Sequence, residues 1–185
     1  RAGFGAPRAE LERLAEQGYE ETVELLLHPE RQPKVDELQL YRYSPITEWP
    51  GGVHHPAQGN YLYYMVNTQQ PLQEKMGLFW AHVFATGNAK VDNSFHQLGQ
   101  MRMFRRHGMG NLRDLMVEVA RDPSMIFWLD NNENHKRAPN ENWGRELLEL
   151  FSLGVGNYTE HDVYECSRAF TGWTITAKMP RLPYG

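Results

Sequence analysis

Cysteine is nearly absent from these 185 residues, and the single Cys166 rules out an internal disulfide framework and a cysteine-rich zinc site. Excess positive charge is absent too. The net charge of −4 and a pI near 6.1 argue against nucleic acid as the main partner, because duplex binding leans on basic surface. No apolar run approaches the roughly 20 residues that a membrane helix needs. No alternating strand pattern of useful length appears, nor any internal repeat or low-complexity tract. Several chemical signatures are also missing. Neither Glu-x-x-His nor His-Glu-x-x-His occurs, which removes the usual di-iron and zinc-protease patterns. Gly154-Val155-Gly156 follows a helical pattern and lacks the third glycine of a dinucleotide loop, and there is neither a phosphate loop nor a Gly-x-Ser-x-Gly elbow.

What remains is helix. Residues 6–18 read as a short helix with proline at its start and glycine after its end. A second follows at 19–28, and a third at 35–43 beyond Pro29 and Pro33. Residues 44–59, with Pro50, Gly51, Gly52 and Pro56, read as loop. Residues 61–66 look helical, and Pro71 opens a stronger helix through Trp80 and Phe84. Asp92 can cap the next, running to about His107, and Asn111 caps one that stops before Asp122-Pro123. Residues 124–129 form a short apolar segment. Between Pro139 and Gly154, Trp143, Leu147, Leu148, Leu150 and Phe151 share one side of a helix, with Glu141, Asn142, Arg145, Glu146, Glu149 and Ser152 on the other. Thr159 caps a last helix. The fold class is all-α: a multi-helical domain of short helices and long polar loops. Residues 1–185 are expected to form one helical domain, a piece of something longer that carries no signal peptide itself.

Three constellations carry candidate chemistry. In residues 130–141, Asp130, Asn132, Asn134 and Glu141 fall at the first, third, fifth and twelfth positions, as in a calcium-binding loop. Against calcium, His135 occupies the glycine position, Pro139 lies inside, and Lys136 and Arg137 oppose a cation. A turn held by asparagine side chains accounts for the same residues, and no cofactor is required. Second, Glu141, Arg145 and Glu149 stand four apart, as an exposed ion-pair ladder or as a buried arginine held between two carboxylates. Glu141 and Glu149 would be separated by about 12 Å of helix rise, beyond the usual spacing of a glycosidase pair. Third, His82 lies on an apolar helix beside Trp80 and Phe84, where a core histidine is the simpler reading than a ligand or base. Arg102, Arg105, Arg106, His107 and Arg113 make a local basic cluster that reads as a solvated face. The five tryptophans could stack on sugars, although most stand at core spacing.

These residues also compose a resemblance. Residues 1–6, Leu72-Gln73-Glu74-Lys75-Met76, Phe79-Trp80 through Phe84-Ala85-Thr86, and His107 through Leu112-Arg113 are similar to successive signatures of one bacterial family. So are Pro139-Asn140-Glu141-Asn142 through Arg145-Glu146-Leu147, residues 153–160 and Thr171-Gly172-Trp173. The chain resembles the family catalogued as domain of unknown function 1800, over nearly its whole length. The resemblance implies a longer protein, exported by bacteria to the periplasm or beyond, and often encoded near another exported protein. It implies no particular activity, substrate or cofactor. The partner is left unknown, with such a neighbour or a glycan as the candidates. The family pattern after Trp80 often reads His-x-His-Phe, whereas here Ala81 and Val83 flank His82, so a histidine-based site on that helix is not expected.

Two functions stay open on this reading. One is a structural or binding module in which Asn131, Asn134, Asn140, Glu141 and Arg145 knit loops together by hydrogen bonds. The other is a hydrolase or other enzyme acting on an envelope or extracellular polymer. In it Glu141 or Glu149 serves as acid or base, Arg145 as orienter, and His82 lies nearby.

Overall fold

The computed structural model describes residues 2–43 and 55–175. Among the described residues eleven α-helices follow one another: α1 (Arg8–Gln17), α2 (Tyr19–Leu27), α3 (Glu37–Tyr43), α4 (His55–Asn67), α5 (Pro71–Val83) and α6 (Asn88–Val91). Then come α7 (Ser94–His107), α8 (Leu112–Arg121), α9 (Pro123–Trp128), α10 (Asn142–Glu149) and α11 (Glu160–Ala169). Short 3-10 turns lie at Pro29–Arg31 and Asn131–Glu133. No strand forms among the described residues, where one isolated bridge, between His135 and Ala138, is the only extended pairing. The all-α class holds.

Side-chain caps explain where most later helices begin. The Asn93 side chain accepts the His96 amide at 3.0 Å to open α7, and that of Asn111 accepts the Arg113 amide at 2.8 Å to open α8. Asp122 caps α9, with Pro123 in the first helical position. Thr159 and Asp162 form a reciprocal capping box on α11. Asp92 does not cap α7 as expected. It takes a left-handed conformation, φ 43°, that closes the short α6. Residues 55–59 belong to α4 rather than to a loop, and 44–54 lie outside the described residues.

Helix α7 is the hub, packed by α4, α5, α6, α8 and α9. Its Phe104 is fully buried with Phe84, Leu115, Val119, Met125 and Trp143. A file of rings crosses this core: Trp80 stacks on Phe84 (5.6 Å between centroids), Phe84 meets Phe104 (6.2 Å) and Phe151 (4.9 Å), and Trp143 meets Phe151 and Phe170. These contacts tie α5 and α7 to α10 and α11, each ring pair adding about 0.5–1.5 kcal/mol beyond area burial.

Two expectations about faces fail. Helix α10 starts at Asn142, three residues after Pro139, and ends at Glu149. Leu150 therefore leaves the helical period and stands 66% exposed instead of joining the core. Arg105, expected on a solvated face, is mostly buried: its Nε donates to both carboxylate oxygens of Glu74, at 2.6 and 2.8 Å.

Candidate functional site

The segment from Asp130 to Arg145 joins α9 to α10, and its centre is the fully buried Asn134. The Asn134 side-chain nitrogen donates to Asn131 Oδ1 (3.1 Å) and to the Ser167 carbonyl on α11 (2.8 Å). Its side-chain oxygen accepts the Asn140 amide at 2.9 Å, and its backbone carbonyl accepts the Gly172 amide at 3.0 Å. One asparagine thus links the 3-10 turn, the approach to α10, and the end of α11. Between Asn134 and Asn140 the chain folds back through reciprocal backbone bonds joining His135 and Ala138. Asn140 then accepts the Asn142 amide at 3.0 Å, which starts α10.

Next to this staple, α10 approaches α11 closely at Gly144, against Ser167 and the α11 backbone. A Cβ at Gly144 would collide with Ser167 Oγ and stand 3.1 Å from the Ser167 amide and the Val163 carbonyl. Close approach of two helix backbones needs glycine here.

On the outer face Arg145 donates to both oxygens of Glu160, at 3.0 and 2.7 Å, and to Glu141 at 3.2 Å. The arginine lies between two carboxylates at the surface rather than buried, and the second is Glu160 rather than Glu149. Hydrogen bonding to Glu160 raises the Arg145 pKa, and the same bond holds the Glu160 carboxyl below its ordinary value. Glu149 instead accepts the Tyr158 hydroxyl at 2.7 Å, which raises the pKa of that phenol.

The four loop residues with calcium-like spacing face different partners. Asp130 pairs with Lys90 at 2.7 Å, and its left-handed backbone (φ 54°) turns the chain out of α9. Asn132 donates to Glu133 at 2.9 Å, while its side-chain oxygen is buried without a hydrogen bond. Asn134 and Glu141 are engaged as described. No group of three or more His, Cys, Asp or Glu among the described residues could hold a metal ion. His82 is exposed on α5 and not in the core, and no hydrogen bond among the described residues joins it to Glu141, Arg145 or Glu149.

Two buried polar groups escaped the sequence reading. The Glu74–Arg105 pair is one, roofed by the Tyr64 ring 3.8 Å from the guanidinium carbon. Tyr64 donates to Glu37 at 2.5 Å, and burial pushes the neighbouring Tyr61 phenol up to about 12. The other is Asp122, whose carboxylate accepts from Gln100 Nε2 (2.7 Å) and the Met125 amide (2.9 Å). Burial raises its pKa to about 6. Glu74 lies within the similar segment 72–76, and Asp122 within the Asp-Pro stop, so each was visible as a residue but not as a buried charge.

No curated protein and no solved structure matches the chain. The match is to a family: the segments that form the asparagine staple, the Gly144 crossing and the Arg145 clamp all lie inside residues 1–183, which fit the family model described as "Protein of unknown function (DUF1800)", and the chain belongs to that family.

Proposed function

We propose that this chain is a helical scaffold and binding module rather than a catalytic one, with Asn131, Asn134, Asn140, Glu141 and Arg145 as its organising residues. The observation that carries the reading is the use of the Asn134 amide. Both its oxygen and its nitrogen are engaged within the protein, so the most polar part of the segment faces inward. The carboxylates a hydrolase would draw on are likewise engaged, Glu141 on Arg145 and Glu149 on Tyr158. Among the described residues, the carboxyl whose pKa is raised by burial, Asp122, is tied to Gln100 and to the start of α9. The reading includes a bacterial, exported setting, in the periplasm or outside the cell, which the family resemblance supports.

Thermal melts in EDTA and then in excess calcium test it. Asn134→Ala strands the Asn140 amide and the Ser167 carbonyl, and is expected to cost about 2–4 kcal/mol. Glu141→Gln and Glu149→Gln are expected to cost less than about 1 kcal/mol, as exposed pairs do. Calcium should leave the midpoint unchanged. A neutral Asn134→Ala would overturn the scaffold. A calcium-specific rise that Asp130→Ala abolishes would replace it with a metal-dependent loop, since a ligand of the folded state raises the midpoint by mass action.

A further inference from the structure

Away from the asparagine staple, a cleft of about 280 Å³ runs between α7 and the junction of α8 with α9. Phe95, Gly99 and Met103 stand four apart on α7 and so share the face that forms one wall, with His96 beside them. Glu118, Asp122 and Pro123 stand on the opposite wall.

Gly99 keeps this space open. It lies inside α7, where alanine or leucine would favour the helix more. Neither usual reason for glycine applies, since its backbone is helical and a Cβ there would meet nothing within 4 Å. The residue gives up helix stability, and what it leaves is room in the cleft.

Asp122 gives that room a sign. It lines the cleft, yet it is among the buried residues. The donors that hold its carboxylate, Gln100 Nε2 and the Met125 and Ser124 amides, are all neutral. Arg121, its neighbour in sequence, places its guanidinium on Glu118 at 3.0 Å. Among the described residues no cation pairs with Asp122. Buried charges are ordinarily paired, because an unpaired one costs its full desolvation. The cleft therefore sets an uncompensated carboxylate beside the apolar groups of Met103 and Pro123. The half-exposed Phe95 adds a ring, and ring faces attract cations.

We propose that the cleft between α7 and the α8–α9 junction binds a small organic ammonium ion with an apolar body. Asp122 meets the charge, and Phe95, Met103 and Pro123 meet the body, in the space left by Gly99. The inference goes beyond the scaffold reading and uses none of the staple residues.

The test is an NMR titration of the full chain with phenethylammonium at pH 7.5, above the value of about 6 to which burial raises Asp122. Phenylacetate carries the same ring with the opposite charge, phenethyl alcohol the ring without charge, and ethylammonium the charge without the ring. Saturable shifts of the amides at 95–103 and 118–122 are expected with phenethylammonium, and much weaker ones with the other three. Gly99→Leu should abolish them and leave the melting midpoint unchanged or raised. Asp122→Asn should lower affinity by about tenfold or more, as loss of a hydrogen bond to a charged group does. No saturable shift, shifts centred elsewhere, or equal binding of any of the three comparison molecules would each overturn the proposal. So would full affinity in Gly99→Leu or in Asp122→Asn. A neutral Asn134→Ala defeats the scaffold, whereas a wild-type chain that melts normally and ignores phenethylammonium defeats only the ammonium site.

Discussion

Arg105 illustrates how little a local pattern says about the surroundings of a charged residue. In sequence it sits among Arg102, Arg106 and His107, and that run reads as solvated surface. Its partner Glu74 lies 31 positions earlier, on α5, and no spacing rule connects them. Side-chain exposures of 12% and 3% make this a buried pair. Removing one member leaves the other charge without compensation, so Glu74→Ala or Arg105→Ala should each cost about 3–5 kcal/mol in denaturant unfolding. Replacing both together by Met and Leu should cost less than either single change, since desolvation of the pair offsets much of its attraction. A double replacement as costly as the sum would mean that the pair supports more than its own charges. Arg145 was legible in part for the same reason. Its i,i+4 neighbour Glu141 follows from helix geometry, whereas Glu160, 15 residues on, could be found only once α10 and α11 were packed.

Elements were more legible at their beginnings than at their ends. Asn111 and Thr159 announce α8 and α11 because a cap is a local hydrogen bond between a short polar side chain and an amide two or three residues on, whereas Asp122-Pro123 reads in sequence as the stop of one helix and in the fold also caps the next, α9. The end of α10 obeys a different rule. The apolar period continues through Leu150, but the backbone bonds shift: the Phe151 amide returns to Glu146 and those of Leu153 and Gly154 to Leu148. Gly154, at φ 81°, closes that turn rather than the helix. The α10–α11 crossing was invisible in sequence, since a glycine between Trp143 and Arg145 announces nothing by itself. Its test is Gly144→Ala. The added methyl meets Ser167 Oγ and the α11 backbone, so a loss of about 1–3 kcal/mol is expected, as for overpacking elsewhere. Ser167→Ala on the same background should recover only part of it, because the Ser167 amide and the Val163 carbonyl remain 3.1 Å from the methyl. Full recovery would place the constraint in the serine hydroxyl alone, and no loss would show that α10 can move away freely.

For the molecule as a whole, the all-α class was legible because helical period and caps are summed over many short segments. The polar interior was not, because burial is set by the whole packing, and Asp122 makes the consequence measurable. The residue is 6% exposed and its pKa is raised from 3.8 to about 6, chiefly by burial. A raised folded-state pKa means that the folded chain holds the proton more tightly than the unfolded chain. The resulting stability is fully present below pH 4 and is lost as pH rises through 6, up to about 3 kcal/mol for a shift of this size. Glu160 and Asp162 act in the opposite sense. Hydrogen bonds to Arg145 and Thr159 lower their pKa values, so their stabilisation is lost as pH falls. Wild-type stability against pH mixes the two signs, and the difference between wild type and Asp122→Asn isolates one. The amide keeps an oxygen for the Met125 cap but cannot ionise, while the exposed carboxylates titrate alike in both proteins. Denaturant unfolding at pH 4.5 and 7.5 should therefore show the variant gaining on wild type as pH rises. A difference that stays constant would mean that Asp122 is already ionised at pH 4.5 and that Gln100 and the α9 amides outweigh the cost of its burial.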